Sequence, residues 1–475
     1  MAAFFYGLIA PVLLVELRDM PLDIVILAAG QGTRMHSTRS KVLHPIAGKP
    51  MLQHVLDAAR VFADARLHVV IGHGAEQVKT AIADESINWV VQSQQLGTGH
   101  AVLQAQPSLR PTATVLVLYG DVPLVNPATL KQLVLSVDDG SMALLTVELD
   151  NPAGYGRIIR DQSGQVSRIV EQKDASEEQL RIQEVNTGIM AATSAQFSRW
   201  LPALQNNNAQ GEFYLTDTIA MARAEDVYIN TQSALSEAEV LGVNDRHQQA
   251  RLERIYQERQ ARALMAQGVT LADPHRFDCR GQIKVGRDVF IDVNAVFEGD
   301  VELGDFVTIE PNCVIRDARI GNGSHIKANT VIEDVVIGEQ VDVGPFARLR
   351  PGTVLNNGAR IGNFVEVKNA VFGEHSKANH LAYVGDADIG RDCNIGAGTI
   401  TCNYDGANKH KTSLGDNVFI GSNSTLVAPL TVQDGGFVAA GSTITKTVSA
   451  DTLAIGRGQQ RNIEGWRRPQ KAPKP

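Results

Sequence analysis

From about Ile283 to Ile444, one branched or small apolar residue returns at every sixth position. Ile283, Val289, Ala295, Val301, Val307 and Cys313 hold that spacing. After short insertions it resumes at Ile337, Val343, Leu349, Leu355, Ile361 and Val367, and again at Leu414, Ile420, Leu426, Val432, Val438 and Ile444. Helices repeat apolar positions near about 3.6 and ordinary strands near about 2, so a period of six predicts the hexapeptide turns of a parallel β-helix. Each hexapeptide is one short strand plus a turn, and three faces close a triangular coil. Stacked coils pair about 4.8 Å apart, with the sixth-residue side chains forming a continuous inner core. The largest departure, Thr401 to Ser413, is polar, which predicts a loop thrown out from a corner.

The pattern before residue 280 is different. Ile24-Val25-Ile26-Leu27 is a continuous apolar run, as in a strand buried on both faces of a parallel sheet. Further strands are predicted at Leu67–Ile71, Val115–Leu118 and Ala143–Val147, alternating with helices at Met51–Ala63 and Pro127–Ser136, the rhythm of a doubly wound α/β sheet. Arg246 to Gln267, rich in Ala, Arg, Glu and Leu, reads as one linker helix that Gly268 ends. The predicted organisation is an N-terminal extension (1–19), an α/β domain (20–245), the linker helix (246–267), a β-helix (268–453) and a tail (454–475). Phe4 to Val15 is apolar but shorter than a membrane span and has no preceding Lys or Arg, so no stable membrane association is expected. Met20, just before the first strand, is the expected natural start.

Length and charge narrow the functional classes. A chain of 475 residues is too long for one core. A net charge of −8 without a long basic run argues against a nucleic-acid partner. Cys279, Cys313, Cys393 and Cys402 form no CxxC pair, which predicts reduced thiols and a cytoplasmic protein without a zinc site.

The first strand ends in Leu27-Ala28-Ala29-Gly30-Gln31-Gly32-Thr33-Arg34-Met35, with Lys41-Val42-Leu43 following. Small residues at such a turn let backbone N–H groups approach a phosphate, and Arg34 and Lys41 supply positive charge. Gln92 to His100 is a second polar, glycine-containing loop. Asp121 closes a predicted strand in Leu118-Tyr119-Gly120-Asp121, where open α/β sheets bind ligands. Together these phrases resemble the signature of sugar-nucleotide pyrophosphorylases and imply a Rossmann-like fold. The resemblance implies that Leu27, Ala28, Ala29, Gly30 and Lys41 meet the nucleotide phosphates, with Arg34 and Lys41 catalytic. It gives Gln92, Gly97 and Thr98 the uracil, and Tyr119 and Gly120 further nucleotide-sugar contacts. Gly156, Glu171 and Asn186 take the sugar hydroxyls and N-acetyl group, and Asp121 with Asn244 takes Mg²⁺. One departure from the family pattern is Ser40, where a proline usually precedes the lysine, and it predicts a slightly looser loop.

Between the repeats, Arg350, Lys368, His380, Tyr383 and Asn394 are polar groups that a prism does not need. The hexapeptides resemble those of left-handed β-helix acyltransferases. Phe346 to Gly352, Gly362 to Lys368, His380 to Tyr383 and Thr401 to Gly406 resemble the acetyltransferase half of the bacterial bifunctional N-acetylglucosamine-1-phosphate uridylyltransferases, a likeness that runs in order over about residues 20–470. It implies that Arg350, Lys368, Tyr383 and Asn394 bind glucosamine 1-phosphate. Ala397, Asn403, Tyr404, Ser422, Ala440 and Arg457 would line the acetyl-CoA site, with His380 the general base. It further implies UTP as cosubstrate, a homotrimer, and a part in peptidoglycan and lipopolysaccharide synthesis. Two other readings are a single-activity pyrophosphorylase with a purely oligomerising β-helix and a non-catalytic sugar-nucleotide sensor. Arg350, Lys368, His380 and Tyr383 oppose the first, and Lys41, Asp121 and Asn244 the second.

Overall fold

The computed structural model describes residues 21–469, so the expectations for residues 1–19 and 470–475 lie outside the described residues. The chain divides after Tyr256 into two units. That division falls inside the expected linker helix, which runs from Arg246 to Ala266 and ends before Gly268 at φ +97°.

In the first unit the strands are β1 (Leu22–Ala28), β2 (Arg66–Ile71), β3 (Ile87–Val91), β4 (Thr114–Tyr119), β5 (Ser141–Glu148), β6 (Arg157–Arg160), β7 (Val166–Val170), β8 (Glu184–Thr193) and β9 (Tyr228–Ser233). Their main order is β9-β5-β8-β4-β1-β2-β3. β1 lies between β2 and β4, parallel to both. Its successive side chains feed two cores: Ile24, Ile26 and Ala28 one, Val25, Leu27 and Ala29 the other. This explains why the run is apolar without alternation. The sheet is mixed, whereas the rhythm of the sequence predicts a parallel one. β8 runs antiparallel to β4 and β5, because the β6–β7 hairpin turns the chain back before β8 enters. Those two hairpin strands are short and carry arginines, which hides them from a hydrophobic pattern.

In the second unit the coils stack as parallel ladders. One ladder of 11 strands forms one face, and a 13-strand ladder with bent strands forms the other two. The register steps from Phe290 to Thr308, His325, Asp342, Arg360, Lys377 and Asn394, which is 17 or 18 residues per coil. Loss of one corner residue in the 17-residue coils, not insertion, therefore shifts the beat after Cys313. The one long insertion lies between Asn394 and its partner Phe419, 25 residues on. It forms the predicted loop, pinned by a Tyr404–Lys409 bridge. Nearly all the sixth-position residues are buried in one core. Each face also sends a second residue inward, and several of these are hydroxyls, among them Ser324, Thr330, Thr353, Ser376 and Thr399. Ser324, Ser376 and Thr399 donate to backbone carbonyls at 2.8, 2.6 and 2.7 Å, which makes their burial tolerable.

All four cysteines are free, as expected, and Cys279, Cys313 and Cys393 are buried. Burial pushes the Cys279 and Cys313 thiols up to about 11. Among the described residues no helix is long and apolar enough to cross a membrane.

Candidate active sites

At the carboxyl ends of β1 and β4, Leu27, Ala28, Ala29, Gly30, Lys41, Gln92, Gly97, Thr98, Tyr119 and Asp121 line one cavity of about 220 Å³, together with Val42, Gln95, Ala101 and Glu212. The Gly120 N–H donates to the Leu27 carbonyl at 2.9 Å and fastens the two strand ends together. Gly32 sits at φ +62°, and a Cβ there would lie 2.6 Å from that of Lys41, so only glycine lets the lysine fold across the turn. Arg34 is exposed on the turn Thr33–Met35 and is not part of this lining. Ser40 does not loosen the loop. Its φ of −54° suits a proline, and its N–H, which proline lacks, donates to Gln77 Oε1 at 2.7 Å.

Lys41 Nζ donates to Asp121 Oδ2 and, at 3.3 Å, to Asn244 Oδ1. Two hard oxygens therefore converge on one point that holds positive charge. Mg²⁺ binds through one or two carboxylates plus substrate phosphates and water, so this donor set fits it. Among the described residues no group of three or more His, Cys, Asp or Glu forms an all-protein metal cage.

The expected sugar residues adjoin the same cavity through Tyr119. The Asn186 N–H donates to the Gly156 carbonyl at 2.8 Å, and a Cβ on Gly156 would meet both Glu171 carboxylate oxygens at 3.3 Å. Asn186 Oδ1 accepts from the Gly188 N–H at 3.0 Å, and Gly188 at φ +84° packs under the Tyr119 ring, where a Cβ would be 2.5 Å away. Burial, helped by the charges of Glu171 and Asp121, pushes the Tyr119 phenol up and keeps it a neutral donor. Burial likewise holds the Glu171 carboxyl above its usual value, although Thr216 Oγ1 donates to it at 3.2 Å.

On the prism, one outward column of the 13-strand ladder carries Arg280, Glu298, Arg316, Glu333, Arg350 and Lys368, one residue per coil. The signs alternate and the pairs close: Arg280 to Glu298 at 3.1 Å and Arg316 to Glu333 at 3.0 Å. The alternation then breaks, because Arg350 and Lys368 follow each other as two cations. Arg350 turns sideways to Glu366 at 2.8 Å. The loop brings a third cation, Lys409, against Lys368, and its ammonium, with Arg350 farther off, holds the Lys368 ammonium below the usual lysine range. Lysines in contact ask for an anion between them.

Around this cluster, Tyr383 Oη lies over Gly385, where a Cβ would be only 2.4 Å from it and 2.9 Å from Asn403 Nδ2. Burial raises the Asp386 carboxyl, but hydrogen bonds from Asn369 and Asn403, then the charges of Lys409 and Lys368, bring it below its usual value. His380 ends its strand at the corner between the two ladders, with Asn363 Oδ1 2.7 Å from its Nδ1. The corner positions above it are Ala397, Ser422 and Ala440, and Arg457 Nη1 donates to the Ala440 carbonyl at 2.6 Å. Tyr404 is exposed, its hydroxyl tied to the Gly406 carbonyl at 2.6 Å. Asn394 stands apart on the 11-strand ladder, between Lys377 and Phe419. Motif reading of the sequence missed Lys409, Glu366, Asn363, Gln95 and Glu212. Glu366 becomes legible once residues are aligned at steps of 17 or 18, whereas Lys409 lies in the 25-residue step and is placed only by its loop.

Together the fold and the sites define a two-domain transferase, a nucleotidyltransferase joined by a helix to a hexapeptide-repeat prism. The MobA-like NTP transferase domain family matches residues 24–270, the bacterial transferase hexapeptide family residues 282–317, and the hexapeptide repeat of succinyl-transferase residues 411–446. Curated relatives are similar over nearly the whole chain. The bifunctional protein GlmU of Marinobacter nauticus is 59% identical over 95% of this chain and 100% of its own length. That of Cellvibrio japonicus is 61% identical over 94% and 99%, and that of Pseudomonas entomophila 59% over 96% and 100%. The chain belongs to the bifunctional GlmU family.

Proposed function

We propose that the prism transfers the acetyl group of acetyl-CoA to glucosamine 1-phosphate, and that the α/β domain transfers uridylate from UTP to the resulting N-acetylglucosamine 1-phosphate, releasing pyrophosphate. The observation that carries the two-activity reading is the break in the charge column at Arg350 and Lys368, completed by Lys409. A purely oligomerising prism gains nothing from bringing Lys409 against Lys368 next to Arg350, with only Arg350 paired to a carboxylate, Glu366.

In the α/β domain the sugar phosphate oxygen attacks the α-phosphorus of UTP and the bond to pyrophosphate breaks. Gln92, Gly97 and Thr98 hold uracil, the turn Leu27 to Gly30 lies along the phosphates, and Gly156, Glu171 and Asn186 hold the sugar. Lys41 stabilises the charge that builds on the leaving group. Arg34 reaches the phosphates from outside the cavity wall. Mg²⁺ held by Asp121 and Asn244 would supply further charge neutralisation to the phosphates.

On the prism, Arg350, Lys368 and Lys409 hold the substrate phosphate, and Tyr383 and Asn394 hold the sugar. Acetyl-CoA lies along the Ala397, Ser422 and Ala440 corner, with Asn403, Tyr404 and Arg457 beside it. The sugar amine forms the new N–C bond, the thioester C–S bond breaks, and His380 takes the amine proton and passes it to the departing thiolate. A charge-assisted hydrogen bond contributes about 1.5–3 kcal/mol, so Lys409→Ala is expected to raise KM for glucosamine 1-phosphate by roughly 10- to 100-fold while leaving pyrophosphate release alone. Equal loss of both activities would contradict this role.

The working form we propose is a cytoplasmic homotrimer in which neighbouring prisms complete the acetyl site. Supporting this, one corner position adopts positive φ in coil after coil and holds Asn294, Asn312, Asn329, Gly398, Asn423 or Gly441, but Phe346, Phe364 and Leu381 in the three coils around His380. These three are exposed by 49, 56 and 61%, and the two phenylalanines stack at 5.3 Å. Left-handed backbone at such residues costs about 1–3 kcal/mol each, which a covering partner offsets. The variant Phe346→Asn/Phe364→Asn is expected to be a folded monomer by light scattering that keeps uridylyl transfer and loses acetylation. A trimer with full acetylation would rule the two rings out of the contact.

One assay supplying glucosamine 1-phosphate, acetyl-CoA, UTP and Mg²⁺ tests the whole reading. Free CoA thiol and pyrophosphate should both appear, and pyrophosphate from N-acetylglucosamine 1-phosphate without any CoA thiol would leave only the single-activity alternative.

A further inference from the structure

We infer that Asn363 is the positioning residue that decides which ring nitrogen of His380 carries the proton, an inference that rests on His380 being the acetyl-transfer base. His380 is exposed, so packing alone does not fix its ring. Asn363 stands one coil below, directly in register, and its Oδ1 is 2.7 Å from His380 Nδ1. The Leu381 N–H donates to the Asn363 carbonyl at 3.0 Å and ties the two corners together.

An amide oxygen only accepts hydrogen bonds, so Nδ1 is the nitrogen that holds the proton. The lone pair is thereby assigned to Nε2, at the outer edge of the ring, where a substrate amine can reach it. An unconstrained imidazole favours the other tautomer, with the proton on Nε2 and no outward base. Asn363 therefore selects the minority form. It does so without adding a charge.

The test is ¹⁵N NMR of the full-length protein labelled at histidine, read above the ring's titration and assigned with His380→Ala. Wild-type protein should show a protonated Nδ1 and a bare Nε2, and Asn363→Ala should show a mixture. The same variant should lose kcat for acetylation by roughly tenfold, with each KM moved less than about twofold and the melting temperature unchanged. Asn363→Asp, which keeps an acceptor in place, should restore most of kcat. A bare Nδ1 in the wild type, or an Asn363→Ala variant with normal kcat, would overturn the inference. Normal acetylation in His380→Ala would instead overturn the assignment of the base, so the two failures are distinguishable.

Discussion

Replacing Asp121 by Ala is expected to abolish pyrophosphate release and leave acetylation at its normal rate. Asp121 gives the only carboxylate of the pair that meets Lys41, and Asn244 alone is a neutral donor. Without it, a divalent cation keeps one weak protein ligand, and the lysine loses the contact that aims it across the Gly32 turn. Electrostatic groups of this kind are commonly worth about 10² to 10³ in rate each, and this change disturbs two together. The measurement is pyrophosphate release from UTP and N-acetylglucosamine 1-phosphate, beside CoA-thiol release by the same preparation. Asp121→Asn should be nearly as poor, since it keeps the shape and loses the charge. A parallel fall in CoA release would mean that the two halves do not work independently.

The second large effect belongs to His380. General-base help is worth about 10² to 10⁴ in rate, so His380→Ala should lower acetylation on that order while uridylyl transfer continues. Substrate affinity should change far less, because the proposed phosphate and sugar contacts lie on other side chains. The pH dependence has a definite sign. A base must be neutral to accept the amine proton, so acetylation should fall as pH drops and the imidazole takes up its proton. In His380→Ala that acidic limb should disappear, leaving a slower rate that climbs as the amine itself deprotonates. Near-normal acetylation at neutral pH in the variant would show that another group is the base or that the amine arrives already neutral.

Much of this architecture is legible in the sequence. The six-residue beat named the prism because a repeating coil writes its period directly into the chain, and Ile24 to Leu27 marked the central strand because both its faces are covered. The antiparallel strand Glu184–Thr193 was not readable, since its direction is set by a hairpin of short, arginine-bearing strands with little hydrophobic signal. Nor was the second inward row, whose serines and threonines look polar on paper; Ser324, Ser376 and Thr399 are buried with their hydroxyls given to carbonyls. Of the expected site residues, Leu27, Lys41, Thr98 and Asp121 stand in separate motifs of the sequence and line one cavity in the fold. Lys409 did not, because only a loop closed by the Tyr404–Lys409 bridge carries it to Lys368. Asn363 lies within the stretch Gly362 to Lys368, and its side chain meets His380 only when the next coil is laid on top.

The constant step of the coils also makes the prism a ruler. Between the rung of Phe290 and that of Asn394 lie six register steps, or about 29 Å at the spacing of paired strands. Chemistry at the His380 corner depends on which residues share a column, and a column survives any change that adds or removes a whole coil. Excising one 18-residue turn below Thr308 would lower the corner by a single rung and leave every column above it in phase. Removing half as many residues would rotate inward-facing positions out to water and empty the core along the remaining length. Length in this domain can therefore vary by quanta of one coil, and the height of the His380 corner above the first coil can take only the values those quanta allow.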